Sequence, residues 1–113
     1  MAVYKFGDVV LVDFPFSDRN AEKRRPGLVL AQDPHGDLLV ARISSKTAEL
    51  PTDVKLRDWQ AEGLNIPSAI RLLKMTTMHE STVLKTLGKV TKTDHHAVLN
   101  ALESFLAELK RAE

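Results

Sequence analysis

A short apolar run near the start of the chain, Val9-Val10-Leu11-Val12-Asp13-Phe14, places the tightest limit on the fold. Gly7-Asp8 precedes the run and Pro15 ends it, so the run is too short for a stable helix, and its valines favour a strand. Its apolar residues follow one another instead of alternating with polar ones, which indicates burial on both faces. We therefore predict a strand inside a small closed barrel.

Further short strands follow along the chain. The predicted strands are residues 28–31, 38–44, 54–56 and 69–78, the last as one long strand or as two with a bend. The first two of these form a hairpin around a turn at 33–37. Residues 16–24 are polar and predict a loop. Short helical turns are predicted at 57–63, which ends in a glycine cap, and at 82–87.

The C-terminal segment carries the clearest helical pattern. Thr93 or Asp94 is predicted to cap its N-terminus. Apolar residues recur at steps of three and four, which predicts a stripe that packs on the core: Val98, Leu99, Leu102, Phe105, Leu106 and Leu109. Short strands followed by one helix predict a mainly β fold, a small β-barrel closed off by the helix, with residues 1–113 as a single domain.

Composition narrows the function classes. A net charge of +1 over 113 residues means that any polyanion must be bound by a local cluster of positive charge. The chain has no cysteine, so it has no thiolate nucleophile and no cysteine-ligated zinc. It shows neither a signal peptide nor an apolar run that spans a bilayer, and we expect a soluble cytoplasmic protein. Gly-rich phosphate loops and paired carboxylates are absent from the sequence pattern, and the adjacent His95 and His96 are poorly spaced to chelate a metal.

The segment Lys23-Arg24-Arg25-Pro26-Gly27-Leu28-Val29-Leu30 brings three cations to the start of a strand. Pro26 favours an extended backbone at Arg25, the last charged residue before the apolar run. A guanidinium fixed there offers a planar fork of donors that suits a phosphate. The alternative is a solvated residue that protects the strand end. Ser44-Ser45 ends one predicted strand and Arg71 lies on a later one, so two guanidiniums and a hydroxyl can converge on a phosphodiester.

The sequence also resembles the MazF/PemK toxin family. The residues that carry the resemblance run from Gly7 to Pro15 and continue, after a polar loop, with Arg24-Arg25-Pro26-Gly27-Leu28-Val29-Leu30. The segments at 40–45, 63–72 and 87–90 are similar to later parts of the family pattern and keep its order. Ser44 occupies a position where many members carry threonine, and the hydroxyl is retained.

The resemblance implies an SH3-like β-barrel, a homodimer and a metal-independent endoribonuclease that needs no cofactor. It places the catalytic arginine at Arg25, its hydroxyl partner at Ser44 and a second arginine at Arg71. The RNA 2′-hydroxyl would attack the adjacent phosphate, leaving a 2′,3′-cyclic phosphate and a 5′-hydroxyl. The residues expected to bind RNA are Glu22, Lys23, Arg24, Ser45 and Lys46.

The biological role implied by the resemblance is that of the toxin in a type II toxin–antitoxin pair. Its partners would be single-stranded mRNA and a small antitoxin whose disordered tail covers the RNA groove. Two alternatives remain open on the sequence. One is a barrel that binds a protein target such as DNA gyrase without catalysis, and the other is a degenerate RNA-binding domain.

Overall fold

The computed structural model describes residues 2–14, 23–46 and 48–112, and it leaves the side chains of Phe14 and Lys23 undescribed. Within this part of the chain there are six strands, a short 3₁₀ turn at Glu80–Thr82 and one α-helix. The strands are β1 (Asp8–Phe14), β2 (Lys23–Gln32), β3 (Asp37–Ser44), β4 (Asp53–Lys55), β5 (Ala69–His79) and β6 (Val83–Lys89), and the helix is α1 (Lys92–Arg111).

The six strands form one antiparallel sheet in the order β4-β5-β3-β2-β1-β6. The mainly β fold with a C-terminal helix is thereby confirmed. The predicted closure of the barrel is not confirmed. Among the described residues β4 and β6 are edge strands, so the sheet remains an open, loose barrel. The hairpin of β2 and β3 around residues 33–37 has the expected place.

Both faces of the central strands are covered, as the apolar run of β1 predicts. On one face Val9 joins a cluster with Leu28, Ile43 and Ile70, against which α1 packs through Val98. On the other face Val10 and Val12 join a second cluster whose remaining buried members are Val29, Leu38, Val40 and Met78. Successive residues of a strand point to opposite faces, so a continuous apolar run fills both clusters.

Strand β2 begins earlier than predicted. The loop expected at 16–24 does not reach Arg24, because Lys23 and Arg24 already pair with β1, while residues 16–22 lie outside the described part of the chain. Pro26 is opposite Leu11 of β1, and the pairing of β2 with β3 begins one residue later, at Gly27 and Arg42. The proline therefore precedes the β3 ladder, to which it has no N–H to donate.

The helical turn predicted at 82–87 is wrong, since residues 83–89 form strand β6 along the edge of β1. A strand-to-strand pairing across more than 70 residues of sequence decides this segment, and local propensity does not. Residues 69–78 belong to one strand, with a register shift opposite Ala41 and Arg42 that supplies the bend. Residues 57–63 form a hydrogen-bonded turn that ends at Gly63, where φ is +89°.

Helix α1 differs from expectation at both ends. Its N-cap is Thr91, neither Thr93 nor Asp94, and the Thr91 hydroxyl accepts a hydrogen bond from the Asp94 N–H. The predicted stripe packs on the core only in part. Val98 is fully buried, whereas Leu106 and Leu109 are 53% and 52% exposed. Leu102 still packs against the first cluster, so the stripe leaves the core only beyond this residue.

Candidate active site

Strand register brings Arg25 and Ser44 to the same face of the sheet. Gly27 of β2 is directly opposite Arg42 of β3. Continuing that register by two residues sets Arg25 level with Ser44, and side chains at level positions of neighbouring strands share a face. Arg25 is also opposite Val12, a member of the second apolar cluster, so the pair lies at one end of the face that this cluster fills.

Arg25 and Ser44 also line one pocket, of about 360 Å³. Its described lining combines an apolar part with a rim of polar and cationic side chains. The apolar side chains are Leu11, Pro26, Ile43, Leu64, Ile66 and Leu87. The polar ones are Arg25, Arg42, Ser44, Ser45, Lys46, Asn65, Ser68 and Lys85. Four cations and no carboxylate stand among the described lining residues, so the pocket suits an anionic ligand.

The Ser44 hydroxyl is oriented by a turn at the end of β3. The backbone N–H of Lys46 donates to Ser44 Oγ at 3.1 Å. Because the oxygen accepts this bond, the hydroxyl keeps its own hydrogen for donation to a ligand. This local turn is the type that serine favours at the end of a regular element. Ser44 is therefore presented as a hydrogen-bond donor at the rim of the pocket.

Arg71 occupies a different environment from Arg25. Its Nη1 is 3.2 Å from Asp53 Oδ2, and its Nη2 is 3.2 Å from Glu49 Oε1. The Asp53 side chain is fully buried, that of Arg71 is 13% exposed, and Arg71 is not among the residues that line the pocket. These contacts tie β5 to β4 and to the segment before it.

Arg42 lines the pocket and was not predicted from the sequence. It is directly opposite Arg71 of β5 and directly opposite Gly27 of β2. Burial lowers the pKa of Arg42 from its usual value, and the charges of Arg25 and Arg71 lower it further. The signal in the sequence was its spacing, because Arg42 stands two residues before Ser44 and therefore on the same face of β3.

The residues expected to bind RNA separate into two groups. Ser45 and Lys46 are exposed and line the pocket. Arg24 is exposed on the opposite face of β2 from Arg25, across from Asp13, and it is not among the lining residues. The Lys23 backbone lies in β2 opposite Phe14. Glu22 lies outside the described residues.

One wall of the pocket is built by close backbone contact between the 57–63 turn and β6. A Cβ placed on Gly63 would lie 2.2 Å from the Leu87 carbonyl oxygen, and one placed on Gly88 would lie 2.6 Å from the Glu62 carbonyl oxygen. Only glycine permits such an approach at both positions. Gly63, Leu64 and Leu87 consequently reach the pocket together.

Three carboxylates meet behind this wall, although the sequence gave no sign of a paired set. Oxygens of Asp58, Glu62 and Asp94 lie within 4.8 Å of one another, which is close enough to hold a metal ion. Hydrogen bonds within the protein already use them. Asp94 accepts from the N–H groups of Arg57 and Asp58 at 3.0 Å each, and Glu62 accepts from the Thr91 N–H at 2.9 Å. Burial, and then the neighbouring Asp94 carboxyl, raise the pKa of Glu62 to about 7. The cluster thus joins the turn to the start of α1.

In the part of the chain that the structure describes, no helix has the length and hydrophobicity that a membrane span requires.

Comparison with solved structures supports this architecture. An endoribonuclease from a mycobacterial species, solved in complex with its cognate antitoxin, is 16% identical with a TM-score of 0.74, covering 93% of this chain and 96% of that one. MazF from Deinococcus radiodurans is 20% identical with a TM-score of 0.69 and coverages of 95% and 99%. The MazE–MazF complex of the same organism is 18% identical with a TM-score of 0.69, covering 94% of this chain and 97% of that one. At these identities the likeness establishes the fold.

The comparison with curated protein sequences gives no match. A family model, however, matches residues 5–106, which is nearly the whole chain, and it describes PemK-like, MazF-like toxins of type II toxin–antitoxin systems. The match includes β1 to β6, the Arg25–Ser44 pair and most of α1. The chain therefore belongs to the PemK-like, MazF-like toxin family of type II toxin–antitoxin systems.

Proposed function

We propose that the protein is a sequence-selective, metal-independent endoribonuclease that cleaves single-stranded RNA and acts as the toxin of a type II toxin–antitoxin pair. The observation that carries this proposal is the placement of Arg25 and Ser44 on one face of the sheet, at the rim of one cationic pocket. The structural neighbour from a mycobacterial species, itself described as an endoribonuclease, supports the same activity.

The proposed reaction is an internal transesterification. The RNA 2′-oxygen forms a bond to the adjacent phosphorus and loses its proton to a base, while the bond from phosphorus to the 5′-oxygen breaks and that oxygen gains a proton. The products are a 2′,3′-cyclic phosphate and a 5′-hydroxyl. DNA lacks the 2′-hydroxyl and is not cleaved. Negative charge accumulates on the non-bridging oxygens in the transition state, where preorganised donors stabilise it most.

Each proposed catalytic residue has a role that its position suits. Arg25 binds the non-bridging oxygens through its planar fork of donors. Ser44 donates its hydroxyl hydrogen to the same phosphate from the neighbouring strand. Arg71 contributes from outside the pocket, since its contacts with Asp53 and Glu49 position the segment that follows β3. The flanking RNA is contacted by Ser45 and Lys46, by Lys23 and Arg24 of β2, and by Glu22.

The proposed function includes a cognate antitoxin, a second copy of the chain and a cytoplasmic location. A toxin of this kind requires a cognate antitoxin, and the mycobacterial neighbour and the MazE–MazF complex were both solved with one. The antitoxin would bind across the pocket and block access of RNA. We further propose that residues 1–113 form a single domain, that two copies form a homodimer, and that the protein acts in the cytoplasm, where mRNA is found.

The test is cleavage of a long unstructured RNA in EDTA, followed by mapping of the cut ends. Wild-type protein should cut at a limited set of sequences and leave 5′-hydroxyl ends. Arg25→Ala should lose about 3 kcal/mol of transition-state stabilisation, roughly a 100-fold loss in rate, on the scale of a lost charge-stabilising donor. Lys110→Ala, which removes an exposed cation from α1, should cut like wild type.

Two results would contradict the proposal. One is the absence of cleavage by wild-type protein, and the other is full activity in Arg25→Ala. Growth arrest that persists in an Arg25→Ala, Ser44→Ala double variant would instead indicate a toxin that binds a protein target without catalysis.

A further inference from the structure

Arg42 lies at the centre of the candidate site, between the strands that carry Arg25 and Arg71. It is level with Gly27, which presents no side chain on the shared face. Arg25 stands two residues before Gly27 and is therefore the diagonal neighbour of Arg42 across the two strands. Diagonal neighbours in an antiparallel pair are about 7 to 8 Å apart, within reach of two long side chains on one RNA strand.

The two arginines adjacent to Arg42 differ in their surroundings. Arg71 makes ion pairs with Asp53 and Glu49, both at 3.2 Å, and it does not line the pocket. Arg25 and Arg42 both line it. Arg25 and Arg42 are therefore the two arginines among the described residues that line the pocket. Burial lowers the pKa of Arg42, and the charges of Arg25 and Arg71 lower it further.

A guanidinium that lines a pocket can bind a phosphate of an RNA backbone through its planar fork of donors. The position of Ser44 indicates which anion each arginine takes. Ser44 is level with Arg25, so those two residues share one phosphate. Arg42 stands two residues along β3 from Ser44, a distance of roughly 6 to 7 Å at about 3.3 Å per residue. That offset suits the next phosphate of an RNA backbone.

From this geometry we infer that Arg42 binds the RNA phosphate next to the one that is cleaved. The inference rests on the proposed function and adds a residue to its substrate site. Arg42 meets a phosphate that does not react, so its contact is equally strong in the bound substrate and in the transition state. Loss of such a contact raises KM and leaves kcat almost unchanged. Loss of Arg25, by contrast, lowers kcat.

The first test is binding of a fully 2′-O-methylated single-stranded RNA of mixed sequence, which lacks the attacking hydroxyl. Fluorescence anisotropy is recorded over a range of salt concentrations. Each phosphate contact contributes about 0.7 to the slope of log affinity against log salt for single strands. Arg42→Gln should reduce the slope by about that amount and weaken binding roughly 10-fold at low salt. Lys110→Gln removes the same charge from the far end of α1 and should change neither value.

The second test uses cleavage kinetics and separates this inference from the proposed function. Arg42→Gln should raise KM roughly 10-fold and change kcat less than about 3-fold. If wild type binds RNA with an Arg42-dependent salt slope but cuts nothing, the proposed function fails and the inference stands. If wild type cuts RNA and Arg42→Gln keeps both its slope and its KM, the inference alone fails. Absence of RNA binding by wild type overturns both.

A measurement on the wild-type protein covers the case in which Arg42→Gln does not fold. The side-chain Nε–Hε resonance of Arg42 should shift when the 2′-O-methylated RNA is added, because its guanidinium gains a phosphate. The Nε–Hε resonance of Arg111, which pairs with Glu108 at the end of α1, serves as the internal control and should not move. An unchanged Arg42 resonance in protein saturated with the RNA would overturn the inference.

Discussion

Ionisation of Glu62 bears directly on stability. It is fully buried, and its backbone packs against Gly88 of β6. One carboxylate oxygen accepts from the Thr91 N–H, and the Asp94 carboxyl lies within 4.8 Å. Two charged carboxylates at this distance repel each other, and protonation of Glu62 removes this repulsion. Burial of the Glu62 carboxyl, together with the neighbouring Asp94 carboxyl, raises its pKa to about 7.

Stability should therefore fall as the pH rises from about 4.5 to 7. The folded state holds the Glu62 proton more tightly than the unfolded state, whose pKa is near the ordinary 4.5. The contribution of this proton is complete below the unfolded pKa and is lost as the pH passes the folded pKa. The full effect is on the order of 3 kcal/mol. Urea unfolding of wild type and of Glu62→Gln at pH 5 and pH 8 measures it.

Glu62→Gln keeps the acceptor for Thr91 and supplies a permanent donor toward Asp94, so its stability should change far less between the two pH values. At pH 8 the variant should be the more stable protein. If the free energy of unfolding falls equally in both proteins between pH 5 and pH 8, the assignment of this pH dependence to Glu62 is contradicted. Because the comparison is a difference between two proteins, titration of the histidines cancels from it.

At the residue scale the sequence marks candidate side chains where a motif or a strand end singles them out, and their roles at the site stay predictions. Arg25 and Ser44 were identified in this way, and strand register brings them together. The sequence did not identify Arg42 or the cluster of Asp58, Glu62 and Asp94, because the proximity of these residues depends on contacts between distant segments. The sequence separates Glu62 from Asp94 by more than 30 residues, and only the packing of the 57–63 turn on α1 joins them.

Elements show the same division between local and long-range causes. β1, β3 and β4 were predicted close to their observed bounds, because each is a short β-branched or alternating run between turn residues. β6 was predicted as a helical turn, since its residues Val83–Lys89 are mostly polar or exposed and carry no strand pattern. Its conformation is decided by hydrogen bonding to β1 and by the contact of Gly88 with the 57–63 turn.

Gly88→Ala should test the importance of that contact. The added Cβ would lie 2.6 Å from the Glu62 carbonyl oxygen and 2.9 Å from its carbon, which are backbone atoms that cannot rotate away. Either β6 or the turn must move. We expect a loss of about 2 to 3 kcal/mol in the free energy of unfolding, at the upper end of ordinary overpacking. Chemical denaturation measures this loss.

The same substitution should also lower RNA cleavage, because Gly63, Leu64 and Leu87 of this contact form the pocket wall. Thr86→Ala is the matched control, since Thr86 is exposed on the same strand. It should leave both stability and cleavage within measurement error. If Gly88→Ala were as stable as wild type, the turn and β6 could move apart without a loss of free energy, which would contradict the importance of this contact.

At the scale of the whole molecule, the sequence predicted the class of fold better than its closure. Short apolar strands and one terminal helix sufficed for a mainly β protein, because these patterns are local. Whether the sheet closes depends on the pairing of its outermost strands, and here β4 and β6 remain edges. The exposure of Leu106 and Leu109 on α1 could not be foreseen either, since the periodic pattern marks an apolar face without showing what covers it.

Exposed apolar side chains on the described surface favour self-association. Leu73 of β5, Leu84 of β6, and Leu106 and Leu109 of α1 are between 44% and 54% exposed. A stable dimer buries about 800 Å² per partner, roughly a tenth of the 7343 Å² accessible surface of one chain. We expect light scattering at micromolar concentration to give about twice the 12.6 kDa of one chain. A mass that stays at one chain as the concentration rises would contradict the proposed homodimer.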